Sequence, residues 1–174
     1  MRDAILFGTQ KGGIKLLRKN KEYLLIIFVL IIVLILSPCT GRSQENICFE
    51  LAGTKYGISA RLLKAIARAE SGLDPTAINQ NRDGSYDYGL MQINSRWSDV
   101  LREDWVYITD PCYNIMVGAW VLRQCMERYG YTWDAIACYN TGKSLSDLKG
   151  KRKKHAHSYI QRVREYLILT GTKQ

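Results

Sequence analysis

Histidine is scarce in this chain. The only two, His155 and His157, stand in one basic stretch, and none of the five cysteines forms a Cys-x-x-Cys pair. These absences weigh against a zinc site, which draws on clustered thiolates and imidazoles. No metal and no cofactor is expected. The string Asn79-Gln80-Asn81-Arg82-Asp83-Gly84 imitates the start of a calcium loop, but its twelfth position holds Leu90 instead of a bidentate Glu. Asp83-Gly84 reads better as a tight hairpin turn. No internal repeat is present, which excludes a solenoid or propeller. No aromatic residue interleaves the run Lys149, Lys151, Arg152, Lys153 and Lys154, so nucleic acid is not an expected partner. A solvated loop is the first reading of that run, and attraction to an anionic polymer the second.

No apolar run reaches the ~20 residues that span a bilayer comfortably. Leu24 to Leu36 is unbroken and follows Lys15, Arg18, Lys19 and Lys21. Basic flank, short apolar stretch, then small polar residues is the order of an export signal. Cleavage near Ser37–Cys39 or Gly41–Ser43 and retention as a membrane anchor both stay open. Residues 1–43 therefore read as signal peptide or anchor, and 44–174 as one domain large enough to bury a core. Of the formal charge of +9, the leader holds +5 and the domain +4, a balance suited to an anionic partner.

Export makes disulfides plausible among Cys48, Cys112, Cys125 and Cys138, with three pairings open. Gln44–Tyr56 has amphipathic helix spacing and Gly57 ends it. Ser59 is placed to cap a helix from Ala60 to Ser71 whose inward face is Leu62, Leu63 and Ile66. One or two short strands follow around Tyr86 to Gln92. Asp110-Pro111 opens a long helix with Ile115, Ala119, Leu122, Met126 and Tyr129 inward, closed by Gly130. Trp133–Tyr139 is a short helix, Gly142–Ser158 a loop, and Ser158–Leu169 the last helix. The fold class is α+β, mostly helical with a small hairpin.

Glu70 ends the apolar run Leu62 to Ala69. Burial at such a place disfavours the charged carboxylate and raises its pKa, leaving an acid able to donate a proton near neutral pH. Asp87 and Asp83 are candidate second carboxylates, Asp83 being better explained by its turn.

Ala69-Glu70-Ser71, Gly89-Leu90-Met91-Gln92-Ile93-Asn94, Ala137-Cys138-Tyr139-Asn140 and Tyr159, in that order, resemble the soluble lytic transglycosylases, lysozyme-like enzymes that cleave bacterial peptidoglycan. The resemblance runs from about residue 46 to 168. Cys48, Asp110-Pro111-Cys112, Asn114-Ile115 and Gly118-Ala119-Trp120 are similar to the small members that accompany secretion, conjugation and pilus systems. It implies a Cys48–Cys112 disulfide. Cys125 and Cys138 depart from the usual pattern, as a second bridge or as two buried thiols.

The resemblance implies that Glu70 is acid, then base, in cleaving the β-1,4 bond from N-acetylmuramic acid to N-acetylglucosamine with formation of a 1,6-anhydro ring. It implies that Ser71 bonds near Glu70 or substrate, and that Met91, Gln92 and Asn94 belong to the cleft. Tyr139, Asn140 and Tyr159 would meet the sugar or the catalytic carboxyl. Glycan strands are the expected partner, with secretion or pilus machinery beside them, and the periplasm the expected place. A hydrolytic lysozyme and a non-catalytic wall-binding scaffold are the alternatives.

Overall fold

The computed structural model describes residues 23–30, 32 and 41–169. Residues 23–30 are helical with exposed apolar side chains. The rest of the Leu24 to Leu36 run, apart from Ile32, lies outside the described residues, as do Cys39 and residues 1–22. Among the described residues no helix is long and apolar enough to cross a membrane.

From residue 41 onward the elements are α1 (Gly41–Tyr56), α2 (Ala60–Ser71), β1 (Ile78–Gln80), β2 (Tyr86–Tyr88), β3 (Ile93–Asn94), a 3-10 turn at Ser95–Trp97, α3 (Ser98–Leu101), a 3-10 stretch at Arg102–Tyr107, α4 (Pro111–Tyr129), α5 (Trp133–Thr141) and α6 (Gly150–Leu169). The three strands form one antiparallel sheet in the order β1-β2-β3, with Asp87 opposite both Asn79 and Asn94. The mostly helical α+β architecture is thus the one the spacing predicts.

α4 sits at the centre. Ile115, Ala119 and Leu122 are fully covered, and Val117, Val121, Cys125 and Met126 are buried on its other flanks. A helix apolar round most of its circumference is a core helix. α1 packs on α4, α4 on α5, α5 on α6, and α6 on α2. Leu63 and Ile66 of α2 and Val163 of α6 are also fully covered. Each such side chain contributes about 1.5–3 kcal/mol by leaving water.

Asp110 caps α4 as expected, its carboxylate accepting the Tyr113 N–H at 2.8 Å, with Pro111 in the first turn. Ser59 does not cap α2 with its side chain. Its own N–H donates to the Tyr131 hydroxyl at 3.2 Å instead. α6 begins at Gly150, so the segment from 150 to 158 is helix and not loop. Its first turns are exposed and charged, and the covered stripe starts only at Ala156, followed by Tyr159, Ile160 and Val163. Lys and Arg are good helix formers, so a polar start costs the helix little.

Two disulfides clamp this scaffold. Cys48–Cys112 ties α1 to α4 across 64 residues, and Cys125–Cys138 ties α4 to α5 across 13. In the chain-entropy model these restrict the unfolded chain by about 4 and about 3 kcal/mol respectively.

Candidate active site

α2 delivers Glu70 in its last turn, after the covered residues Leu62, Leu63, Ala65, Ile66 and Ala67. The helix stops at Gly72, whose N–H bonds the Arg68 carbonyl at 3.1 Å. α6 runs beside it and directs the buried Tyr159 hydroxyl to Glu70 Oε1 at 2.7 Å. Burial pushes the Glu70 pKa from its ordinary 4.5 up to about 7. The Tyr159 bond and the Arg162 charge oppose that rise, while the Asp87 charge adds to it. The Tyr139 and Tyr159 hydroxyls are themselves raised well above their usual value, first by burial and then by the Glu70 charge. They therefore remain proton donors in hydrogen bonds at neutral pH.

Glu70 opens onto a groove of about 1380 Å³, shared with Asp87, Gln92, Asn94, Tyr139 and Asn140. Four of the sequence-predicted partners thus meet the acid in one cavity. Gln92 stands at φ 48°, a left-handed conformation that a residue with a side chain adopts at a cost. There its amide donates to the Gly89 carbonyl at 2.9 Å and the Ala77 carbonyl at 3.3 Å, and accepts from Asn79 at 2.7 Å. Asn94 donates to Asp87 Oδ1 at 2.7 Å and to Ser85 Oγ at 3.0 Å, and caps the 3-10 turn through the Arg96 N–H. Asn81 donates to Asp87 Oδ2 at 2.9 Å. Both carboxylate oxygens of Asp87 are therefore held by amides on neighbouring parts of the sheet wall.

One expectation changes, and two others take a definite form. Met91 does not line the groove with its side chain, which is fully covered and lies against Gly118. A Cβ at Gly118 would fall 2.6 Å from the Met91 Cβ, so only glycine admits this approach. Ser71 directs its hydroxyl to the Leu90 carbonyl at 3.0 Å and the Ala67 carbonyl at 3.2 Å, pinning the end of α2 to the loop next to Glu70. Tyr139 donates not to Glu70 but to the Met91 carbonyl at 2.7 Å, tying α5 to the same loop. Asn140 is exposed at the groove edge.

Asp83 is occupied by its turn, accepting from the Ser85 N–H and hydroxyl and pairing with Arg96 at 2.7 Å. Asn114 is the organising residue that the resemblance left without a role. Buried on α4, it accepts the Met91 N–H at 2.8 Å and donates to the Tyr88 carbonyl at 2.8 Å and the Ile108 carbonyl at 3.0 Å. The signal was present, since a buried amide on a covered helix needs partners. Cys125 and Cys138 also border the groove as a bridge, which removes the reading of two free thiols. The implied Cys48–Cys112 pair is formed as well.

The sequence profile of the family described as Transglycosylase SLT domain matches residues 47–161. Protein IpgF of Shigella flexneri is 39% identical over 145 residues, which cover 80% of this chain and 90% of that protein. The invasion protein IagB of Salmonella typhimurium (strain SL1344) is 38% identical over 144 residues, covering 79% of this chain and 86% of its own. Among solved structures, an inactive mutant of the lytic transglycosylase Slt from Pseudomonas aeruginosa aligns over 78% of this chain with a TM-score of 0.59 at 22% identity. That likeness concerns the fold, and the chain spans about a quarter of that protein's length, 24%. With its profile and its relatives in agreement over most of its length, the chain belongs to the transglycosylase SLT-domain family, the lytic transglycosylases of peptidoglycan.

Proposed function

We propose that this protein cleaves the β-1,4 bond between N-acetylmuramic acid and N-acetylglucosamine in peptidoglycan without consuming water. Glu70 donates its proton to the glycosidic oxygen as the bond from C1 to that oxygen breaks. The resulting carboxylate takes the proton of the muramic C6 hydroxyl, whose oxygen bonds C1 and closes the 1,6-anhydro ring. The substrate's own N-acetyl group steadies the positive charge at C1. Gln92, Asn94 and Asn140 would border the bound strand, while Tyr159 orients the acid and Tyr139 secures the loop behind it.

The observation that carries this reading is the buried acid itself. A carboxyl held near pKa 7 and bonded by a phenol at 2.7 Å suits both halves of the cycle, because both its protonated and its charged form are accessible near neutral pH. A wall-binding scaffold would have no use for such a group, since holding a carboxylate out of water costs stability. The test is digestion of purified sacculi with the full chain and with Glu70→Gln. Soluble anhydro-muropeptides from the first and none from the second are expected. Release by both proteins would remove Glu70 from the reaction.

Asp87 supports a second reading, lysozyme-type hydrolysis. It lies in the same groove and its charge acts on Glu70. Two carboxylates flanking a scissile bond can direct attack by a carboxylate or by water. Reducing-end muramic acid among the products would decide for it.

A relative named as an invasion protein supports a local role, opening the wall where a secretion or pilus machine assembles. The periplasm is the place where such a wall enzyme meets its substrate. The Leu24 to Leu36 segment would bring it there, cleaved or kept as an anchor. Comparing the mass and fractionation of the mature chain with the full length separates those two fates.

A further inference from the structure

Two arginines that border the groove from α4 and α6 take no part in the bond-breaking chemistry. On α4, Val121, Gln124, Cys125 and Arg128 all border it, the i, i+3, i+4, i+7 spacing of a single helix face. Arg128 is the last of these. From α6, Arg152 borders the same groove. It precedes Tyr159 by seven residues, so it stands two turns, about 10 Å, along the helix from the residue that bonds Glu70. Both arginines are exposed, and neither forms an ion pair with a described residue. Arg96, by contrast, is already taken by Asp83. Two helices thus each bring to the groove that holds Glu70 a guanidinium with no carboxylate partner among the described residues, Arg128 lying over the Tyr129 ring at 5.9 Å.

We propose that Arg128 and Arg152 form a subsite for the carboxylates of the peptide stem on muramic acid. This rests on the peptidoglycan reading of the groove and specifies which form of the strand it prefers. The sugars of the glycan backbone carry no charge of their own to attract a guanidinium. The short peptide on the muramic lactyl group does, through free carboxylates two and three residues out. Two to three extended residues reach roughly 7–10 Å, the same scale as the offset of Arg152 along α6. A guanidinium also matches a carboxylate with two parallel hydrogen bonds, which a lysine cannot do.

The test uses the full chain and two substrates: glycan strands carrying stems, and the same strands stripped by an amidase, which removes the stem carboxylates and leaves one lactyl carboxylate directly at each muramic sugar. Wild type is expected to show kcat/KM about three- to tenfold higher on stem-bearing strands, the range for exposed charge pairs, and the preference should shrink as salt rises. The double variant Arg128→Gln/Arg152→Gln should lose that preference while turning over stripped strands unchanged. Lys151→Gln/Lys154→Gln removes equal charge from α6 outside the groove and should leave the preference intact.

Equal rates of wild type on both strands would overturn the subsite. So would an equal fall of the arginine variant on both strands, or the same loss from the lysine variant. Binding to the two strands, measured with Glu70→Gln, reads the subsite without turnover. If wild type releases no anhydro product but Glu70→Gln still binds stem-bearing strands more tightly, the catalytic reading fails and the subsite stands.

Discussion

The groove has two walls made by opposite means. The helical wall, from α2, α5 and α6, is apolar and covered behind its surface, and it offers Glu70 a single hydroxyl partner. The sheet wall is a ladder of amides and hydroxyls with little core beneath it, and it gives Asp87 two amide donors. One wall withholds solvation from a carboxylate and the other supplies a substitute for it. Two carboxylates in one cavity therefore meet different environments, which is how a fold assigns different work to like groups. Asn114 backs the sheet wall, since it bonds Tyr88 at the end of β2 and Met91 within the Gly89–Gln92 loop.

The sharpest way to break this comparison is to remove the acid. Glu70→Gln should lower muropeptide release by about 10²–10⁴-fold, read by product chromatography. The same loss from Asp87→Asn, with reducing-end products in wild type, would make the walls equal partners. Next in size, Asn114→Ala leaves one N–H and two carbonyls without their partner, and should cost about 3 kcal/mol or more in urea unfolding.

The pH dependence of stability isolates the helical wall. Between 4.5 and about 7 the folded protein holds a proton on Glu70 that the unfolded chain has released. Stability from this group is therefore full below that window and falls as pH rises through it. Glu70→Gln should be the more stable protein above pH 7, by on the order of 1–3 kcal/mol, and the gap should close on acidification.

Tyr159→Phe removes the one bond that favours the charged form. The Glu70 pKa should rise, moving the alkaline limb of the pH–rate profile upward by about one pH unit. The smallest effect is expected on the sheet wall. Asn94→Ala should cost about 1 kcal/mol in stability and act on KM more than kcat, because its bonds are partly exposed to water.

Much of this was legible in the residues. The helix Ala60–Ser71 and the start of α4 at Asp110-Pro111 follow from spacing, and the meeting of Glu70 with the Gln92 and Tyr139 blocks is what the family resemblance implies. What escaped has physical reasons. Strands of two or three residues carry no period, so β1 and β3 lay hidden in a turn-rich stretch. The start of α6 packs nothing before Ala156, so its charges resembled a loop. Side-chain direction escaped too. Ser71, Met91 and Tyr139 sit in the blocks that mark the site, yet each spends its polar group or its bulk on holding the backbone in place.

The left-handed backbone at Gln92 has a consequence for anyone redesigning glycan preference. A library randomised at this position will be sorted first by tolerance of φ 48°, which favours Gly, Asn and Asp, and only then by sugar contacts. Winners could owe their success to relaxed chain geometry alone. Comparing each variant with Gln92→Gly, which relieves the main chain and deletes the amide together, separates the two causes.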